Sequence, residues 1–233
     1  MSSQPVPTSQ AHRQVRWIAP PGATEILLVR HGATIGIEGT AGFPLKDGHG
    51  DPPLSDDGEH QAKLVGTRLA QEHVDAIYMT SLVRTHQTAA PIEAALGLTA
   101  TIEPDLREVF LGEWEGGEFR RRAAEGDPRF IAAMTEHEWG HIPGAETTQQ
   151  LTDRCVGAIN RIQRMHTGKR IITVVHGGVI SAILGHAVSS RSVFLGADNC
   201  SISHLVIDGP KWIVRCFNDT AHLGGFTPET HIP

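Results

Sequence analysis

Four short segments of the sequence put chemically reactive side chains directly after apolar or extended runs. Arg30 and His31 follow one apolar run, and His176 follows another. Arg84 and Glu108 come after two further segments that are typical of extended chain. These residue types supply a nucleophile, cations and an acid, which are the groups that phosphoryl transfer uses.

Each histidine taken alone could equally be a core residue whose ring is satisfied by a neighbour. Their position at strand ends is the stronger argument. An α/β sheet gathers the carboxyl ends of its parallel strands at one edge, and such folds bind their ligands there. His31 and His176, 145 residues apart in the chain, could therefore line one crevice.

A competing metal site begins at residue 137, where HEWGH matches the zinc pattern H-E-x-x-H. The pattern binds metal only if both histidines lie one turn apart on a continuous helix. Gly140 lies inside it and Ile142-Pro143-Gly144 follows, so we expect the helix to end near Trp139 and His141 to lie in the turn. We therefore expect no metal site here.

A second competing pattern is C-x5-R, the signature of cysteine phosphatases, at Cys155 and Arg161. It requires a loop whose backbone amides curl around a phosphate. Apolar residues instead recur at helical spacing through this segment, at Leu151, Cys155, Ala158, Ile159 and Ile162. We expect Cys155 to pack in the core.

The composition is that of an ordinary soluble protein. Hydrophobic residues make up 39% of the 233 positions and charged residues 20%, and this length permits one large α/β domain or two small ones. The net charge of −6 argues against nucleic acid as a partner, because such binding needs a basic surface. Any phosphate chemistry must then use a local basic pocket.

The sequence favours the cytoplasm and no membrane contact. The first 17 residues lack the apolar core of a signal peptide, and the three cysteines form neither an even set nor a C-x-x-C pair. Residues 171–190 carry no Asp, Glu, Lys or Arg over 20 positions, enough to span a bilayer. The Gly177-Gly178 pair at its centre predicts a buried strand, a turn and a helix instead.

Strand-like and helix-like segments alternate along the chain. Predicted strands cover residues 26–30, 75–81 and 170–178, with a closing pair at 201–208 and 211–218, and residues 101–110 are predicted to be extended. Predicted helices cover residues 54–70, 82–97 with a kink at Pro91, 118–138 and 143–166. This pattern predicts a three-layer α/β/α sandwich with a mostly parallel central sheet.

We assign residues 24–233 to a single domain, since the sequence contains neither an internal repeat nor a linker. Residues 1–23 are rich in Ser, Gln and Pro without periodicity and are predicted to be a mobile tail. Residues 35–53 form a long glycine-rich loop, which compact domains keep mainly as a lid or a binding loop.

Five segments, in their order and spacing, resemble the histidine phosphatase superfamily, the group that also includes the cofactor-dependent phosphoglycerate mutases. They are LLVRHGAT (27–34), PLSDDGEHQA (53–62), TSLVRTHQTA (80–89), LREVFLGEWEG (106–116) with PGAET (143–147), and VVHGG (174–178). The resemblance spans about 150 of the 233 residues. It implies a phosphoglycerate mutase-like fold.

The resemblance implies that His31 takes the phosphoryl group and forms a phosphohistidine. A neutral imidazole can attack phosphorus without prior deprotonation, and neighbouring arginines disfavour its protonated form. Glu108 corresponds to the family's proton donor, ahead of its positional rivals Glu103, Glu113, Glu115 and Glu118. No metal or other cofactor is implied, since arginines take the place of the cation.

The resemblance also implies a clamp for the phosphoryl group. Arg30 and Arg84 would grip its oxygens through bidentate hydrogen bonds, and His176 would donate another. Gly177 and Thr34 are further candidate contacts to the substrate. The threonine could equally serve only to open a turn.

One position departs from the family's pattern. Ile37 stands where many members have asparagine, and it cannot form a hydrogen bond to a phosphoryl oxygen, so that contact is missing or another group supplies it. Arg120-Arg121-Arg122 could hold a second anionic group. Three consecutive residues point in different directions around a helix, however, and we expect this run to be a solvated helix face.

We expect a phosphatase that transfers the phosphoryl group of a small phosphorylated metabolite to water and releases inorganic phosphate. A phosphoglycerate mutase-type phosphoryl transferase is one alternative, but the longer mutase-like sequence after Glu108 is missing. A non-catalytic phospho-ligand binding module is the other. Such modules often lose the nucleophile or the acid, and both are present here.

Overall fold

The computed structural model describes residues 14–39 and 41–224 of the chain. Residues 1–13 of the predicted tail at 1–23 lie outside these residues. Residues 14–20 have no regular secondary structure, and the first strand begins at Thr24. In the described part of the chain, no helix is both long enough and apolar enough to cross a membrane.

The described residues contain eight strands. They are β1 (Thr24–Arg30), β2 (Leu45–Lys46), β3 (His49–Gly50), β4 (Ala76–Met79), β5 (Ala100–Ile102), β6 (Arg170–Val175), β7 (Ile202–Asp208) and β8 (Lys211–Asp219). Six of these form the central sheet in the order β5-β4-β6-β1-β7-β8, while β2 and β3 form a small hairpin. The first four strands of that order are parallel, and β7 and β8 each run antiparallel to the preceding neighbour. The predicted mostly parallel sheet is confirmed.

Six α-helices lie in the described part of the chain. They are α1 (Asp56–Leu69), α2 (Val83–Leu96), α3 (Glu118–Glu125), α4 (Pro128–Glu136), α5 (Thr148–Met165) and α6 (Gly177–Ala187). Alternate residues of β1 face opposite sides of the sheet. Ile26 and Leu28 pack with α5 and α6, whereas Leu27 and Val29 pack with α1 and α2. The three-layer sandwich is therefore confirmed.

Residues 118–138 are largely helical as predicted, but the chain forms two shorter helices there with a break between them. α3 ends at Glu125, and Asp127 caps α4 by accepting a hydrogen bond from the Arg129 amide at 2.8 Å. Pro128 occupies the first turn of α4, where its missing N–H is not needed. The predicted extended segment at 101–110 is also shorter, since β5 ends at Ile102 and a 3₁₀ turn follows.

The loop after β1 rests directly on the first turn of α1. The Ser55 amide donates to the Ala33 carbonyl at 3.0 Å, and a Cβ atom added to Gly58 would lie 1.9 Å from that same carbonyl oxygen. A Cβ atom added to Gly32 would lie 2.5 Å from the Gly58 carbonyl oxygen. Two glycines are thus needed for the backbones to approach this closely.

We expect Gly58→Ala to destabilise the fold by about 1–3 kcal/mol, because the new methyl group overlaps backbone that cannot move aside cheaply. Gly157→Ala in α5 is the matched control, since its Cβ atom would meet only the Arg161 guanidinium at 3.8 Å and alanine favours a helix. Urea unfolding of both variants measures the difference. Equal stability of the Gly58→Ala variant and the wild type would contradict this account.

Candidate active site

A cavity of about 210 Å³ opens at the carboxyl edge of the sheet, and Arg30, His31, Arg84 and Glu108 line it. His176, directly after β6, is fully buried, and its ring centroid lies 5.1 Å from that of His31 in an edge-to-face arrangement. The structure therefore brings together the five residues that the sequence singled out.

His31 is buried, and its ring is held in one orientation. Its Nδ1 lies 2.8 Å from the Gly32 carbonyl oxygen, and a carbonyl can only accept, so Nδ1 carries the hydrogen and Nε2 keeps its lone pair. Burial, followed by Arg84 and Arg30, holds the pKa of His31 well below its usual range. The site thus favours the neutral ring, which carries its lone pair on Nε2.

His176 is held from the side of β4. Its Nε2 and the Thr80 hydroxyl are 3.1 Å apart in a hydrogen bond, while Nδ1 has no partner among the described residues. Burial, followed by the charge of Arg84, holds the pKa of His176 well below its usual range. A buried ring nitrogen without a partner is one that a ligand can satisfy.

Backbone carbonyls hold the two arginines of the predicted clamp. Arg84 Nη1 donates to the Gly50 carbonyl at 2.9 Å and lies 3.8 Å from an Asp51 carboxylate oxygen. Arg30 Nη1 donates to the Ala197 carbonyl at 2.5 Å, and its Nε has no partner in the described part of the chain. Both guanidinium groups thus keep N–H donors for an anion in the cavity.

Glu108 lies over the first turn of α6. One of its carboxylate oxygens accepts from the Val109 amide at 2.9 Å, and the other accepts from the Gly178 amide at 3.3 Å. A Cβ atom added to Gly178 would lie 2.5 Å from the Glu108 carboxylate. Glycine at 178 is therefore required for the carboxylate to occupy this position.

Three of the four positional rivals of Glu108 form hydrogen bonds or ion pairs elsewhere. Glu115 also lines the cavity, but its two oxygens accept from the amides of Gly50 and Leu111 at 2.6 and 2.8 Å. Glu103 pairs with Arg161 at 2.9 Å, and Glu118 pairs with arginines of its own helix. Of these acids, Glu108 is the one beside the helix that follows His176.

The prediction that the arginine run at 120–122 faces solvent is wrong for Arg120, which lines the cavity. Its guanidinium donates to the Thr34 hydroxyl at 2.6 Å and to the Ile35 carbonyl at 2.8 Å, and it lies 5.0 Å from the Phe43 ring centroid. The signal was present, since consecutive helical residues point in different directions. The sequence alone did not indicate which arginine points inward.

The long loop at 35–53 contributes to the cavity through Phe43, His49, Gly50 and Pro52. Ile37, at the position where the family often has asparagine, packs on the α3 side, because its Cδ1 would lie 2.1 Å from a Cβ atom added to Gly117. Six apolar residues also line the cavity. We call them the apolar wall: Phe43, Val109, Leu111, Trp114, Phe119 and Trp139.

Gly177 begins α6, and a Cβ atom added there would lie 3.5 Å from Arg30 Nε. Its peptide is therefore close to the clamp. Thr34 reaches the cavity through Arg120, since its hydroxyl accepts from that guanidinium.

The two competing motifs lie elsewhere. α4 ends at Glu136, and the His141 ring pairs with that residue at 2.8 Å, so the histidines of HEWGH do not share one continuous helix. The described residues contain no cluster of three or more His, Cys, Asp or Glu that could hold a metal ion. Cys155 is buried in α5 as predicted, and burial raises the pKa of its thiol to about 12.

Comparison with known proteins gives consistent family names. The profile of the histidine phosphatase superfamily (branch 1) matches residues 26–220. Phosphoglycerate mutase-like protein 4 of Arabidopsis thaliana is 34% identical over 203 residues, covering 85% of this chain and 86% of that protein. A metal-independent phosphoserine phosphatase of Arabidopsis thaliana is 32% identical over 206 residues, covering 86% and 83%. The crystal structure of a phosphoglycerate mutase from Bacillus anthracis shares the fold, with a TM-score of 0.74 at 20% identity over 88% of this chain and 96% of that one.

We expect the buried histidines to make the protein less stable as the pH falls. The lowered pKa of His176 keeps its ring neutral in the folded protein, whereas the unfolded chain takes up a proton below about pH 6.5. Above that pH the ring is neutral in both states and has no effect. Between about pH 6.5 and pH 5 it costs at most about 2 kcal/mol of unfolding free energy.

Urea unfolding at pH 7.5 and pH 5 measures this effect. The loss of stability between the two pH values should be smaller in His176→Gln than in the wild type. The control is His73→Gln, a change to a side chain that is 90% exposed, which should keep the wild-type loss. The same loss in all three proteins would contradict a neutral buried ring.

Proposed function

Because the chain belongs to the histidine phosphatase superfamily, we propose that it is a phosphomonoester hydrolase that acts through a phosphohistidine on His31 and needs no metal. The observation that carries the proposal is the state of the His31 ring. Its Nδ1–H is engaged by the Gly32 carbonyl, and burial together with two guanidinium groups lowers its pKa. A neutral Nε2 beside two cations suits attack on a phosphoryl group.

In the first step, His31 Nε2 attacks phosphorus and the bond from phosphorus to the ester oxygen breaks. Glu108 donates its proton to that oxygen, and the substrate leaves as an alcohol. In the second step the Glu108 carboxylate takes a proton from water as the water oxygen attacks the phosphohistidine. The nitrogen–phosphorus bond breaks, and inorganic phosphate is released with a neutral imidazole.

Arg30, Arg84 and His176 stabilise the phosphoryl group through both steps. The arginines are anchored by the Ala197 and Gly50 carbonyls, so their remaining N–H groups are preorganised before the substrate arrives. The unpartnered Nδ1 of His176 is a further candidate contact. Losing one of these clamp residues should lower the rate by about 10²–10³-fold.

Hydrolysis is favoured over transfer to a second substrate hydroxyl. A mutase must hold a second anionic group and exclude water between the two half-reactions. The cavity is also lined by the apolar wall, which suits the organic part of a small phosphorylated metabolite. The relative named a metal-independent phosphoserine phosphatase supports this choice.

A mutase-type transferase is the second candidate, and Arg120 is the observation that favours it. This guanidinium lines the cavity and could hold a second anionic group. A binding module without turnover is less favoured, since a nucleophile, an acid and a clamp lie together around one cavity.

Hydrolysis of 4-nitrophenyl phosphate in the presence of a chelator tests the proposal. We expect the wild type to retain its activity after the chelator treatment and His31→Ala to lose at least about 10³-fold in rate, because the nucleophile is absent. Activity that is lost to the chelator and restored by zinc would refute the metal-free mechanism. Conversion of 3-phosphoglycerate to 2-phosphoglycerate without net phosphate release would favour the mutase.

We expect Gly178→Ala to lower the rate of phenyl phosphate hydrolysis by about 10²-fold, because the new Cβ atom would lie 2.5 Å from the Glu108 carboxylate and displace the proton donor. The displaced group is the end of a flexible side chain, so stability should change little. Gly157→Ala is the control and should keep wild-type activity. Full activity in Gly178→Ala would argue against Glu108 in this role.

A further inference from the structure

Arg154 of α5 lies outside the cavity and binds the backbone on which Glu108 sits. Its Nη1 donates to the carbonyls of Asp105 and Arg107 at 2.8 and 2.7 Å. Its Nη2 donates to the carbonyl of Glu108 itself at 2.9 Å. One guanidinium thus holds three carbonyls within four consecutive residues.

The same guanidinium also forms an ion pair with Glu146. Arg154 Nε and Nη2 donate to the two Glu146 carboxylate oxygens at 3.0 and 2.5 Å. With the three carbonyls, these bonds use all five N–H donors of an arginine. The side chains of Arg154 and Glu146 are only 23% and 14% exposed, so this group has no donor left for solvent or for a ligand.

Glu146 binds the backbone on the other side of Glu108, at Phe110. Its carboxylate accepts from the Phe110 amide at 2.8 Å, and its own amide donates to the Phe110 carbonyl at 3.0 Å. The Arg154–Glu146 pair therefore holds the chain both before and after the Glu108 side chain.

This segment needs such support, because it belongs to no strand or helix. β5 ends at Ile102, the 3₁₀ turn ends at Leu106, and the next 3₁₀ turn begins at Gly112. His31 and His176, by contrast, follow strands whose ladder hydrogen bonds set their positions. Partly buried carbonyls outside regular structure also need hydrogen-bond partners, and Arg154 supplies N–H donors to those of Arg107 and Glu108.

We propose that Arg154, held by Glu146, is a positioning residue that sets the Glu108 carboxylate against the Gly178 amide. The inference rests on the proposed function, in which Glu108 is the proton donor. Arg154 does not line the cavity, so it can affect the reaction only through the position of Glu108. Its loss should therefore slow proton donation more than it slows attack by His31.

Two esters with different leaving groups test this. Phenoxide is a poor leaving group and needs a proton, whereas 2,4-dinitrophenoxide leaves readily as an anion. We expect Arg154→Lys, whose single ammonium cannot reach all these acceptors, to lower kcat/KM by about 30–100-fold on phenyl phosphate and by less than about threefold on 2,4-dinitrophenyl phosphate. This ratio reports only the steps up to departure of the leaving group and so leaves out the later attack of water, in which Glu108 acts on both esters. Glu146→Gln, a second change to the same pair, should show the same preference more weakly.

Glu108→Gln is the reference and Arg161→Lys the matched control. Arg161 lies two turns further along α5, is 42% exposed, and pairs with the side chains of Glu103 and Asp105 rather than with backbone. The kcat/KM of its variant should stay within about twofold of the wild type on both esters, while Glu108→Gln should lose kcat/KM mainly on phenyl phosphate.

Equal losses on both esters in Arg154→Lys, beside a selective loss in Glu108→Gln, would overturn the positioning role alone. Equal losses in Glu108→Gln would overturn the donor assignment and this inference with it. A wild type that hydrolyses neither ester would overturn the proposed function itself. Failure of both Arg154→Lys and Glu146→Gln to fold, judged by circular dichroism, would also overturn the inference, because the pair would then support the whole fold.

Discussion

The site depends on the parallel pairing of β1 with β6. Arg30 stands opposite Val175 in the register of these strands, and the His31 amide donates to the Val175 carbonyl at 3.0 Å. The next residue on each strand is a histidine, so the two rings meet at the sheet edge. A slip of one residue would turn every side chain of the strand to the opposite face, and the apolar packing on both faces of β1 opposes such a slip.

Burial at this edge of the sheet also lowers the pKa of both histidine rings. Water is largely excluded around His31 and His176, and burial is the first cause of the lowered pKa in each. Arg84 is only 7% exposed, and burial, partly offset by nearby acids, also lowers the pKa of its guanidinium. Holding buried arginines beside neutral imidazoles lowers the stability of the fold when no anion is bound. A bound phosphoryl group would offset that cost. The fold therefore gives up some stability to hold the guanidinium groups in position before a ligand binds.

The sequence was most informative where position follows from regular structure. Apolar runs predict buried parallel strands, and the residues that end those strands must share one edge of the sheet. His31, Arg84 and His176 were found in this way. The sequence also contains a signal for the break between α3 and α4, namely Gly126, the capping Asp127 and Pro128 in succession. The break was missed because residues 118–138 were interpreted as helical throughout.

Contacts between irregular segments were much harder to predict. Arg120 reaches the Thr34 hydroxyl across 86 positions of the chain, and no local pattern encodes the meeting of a short helix with a loop. Arg154 was correctly predicted to lie on a helix, but its partners belong to a segment with no periodicity of its own. Residues on strand ends are positioned by the backbone ladder. A residue such as Glu108, outside that ladder, is positioned by side chains far along the chain, and only the folded structure brings those into view.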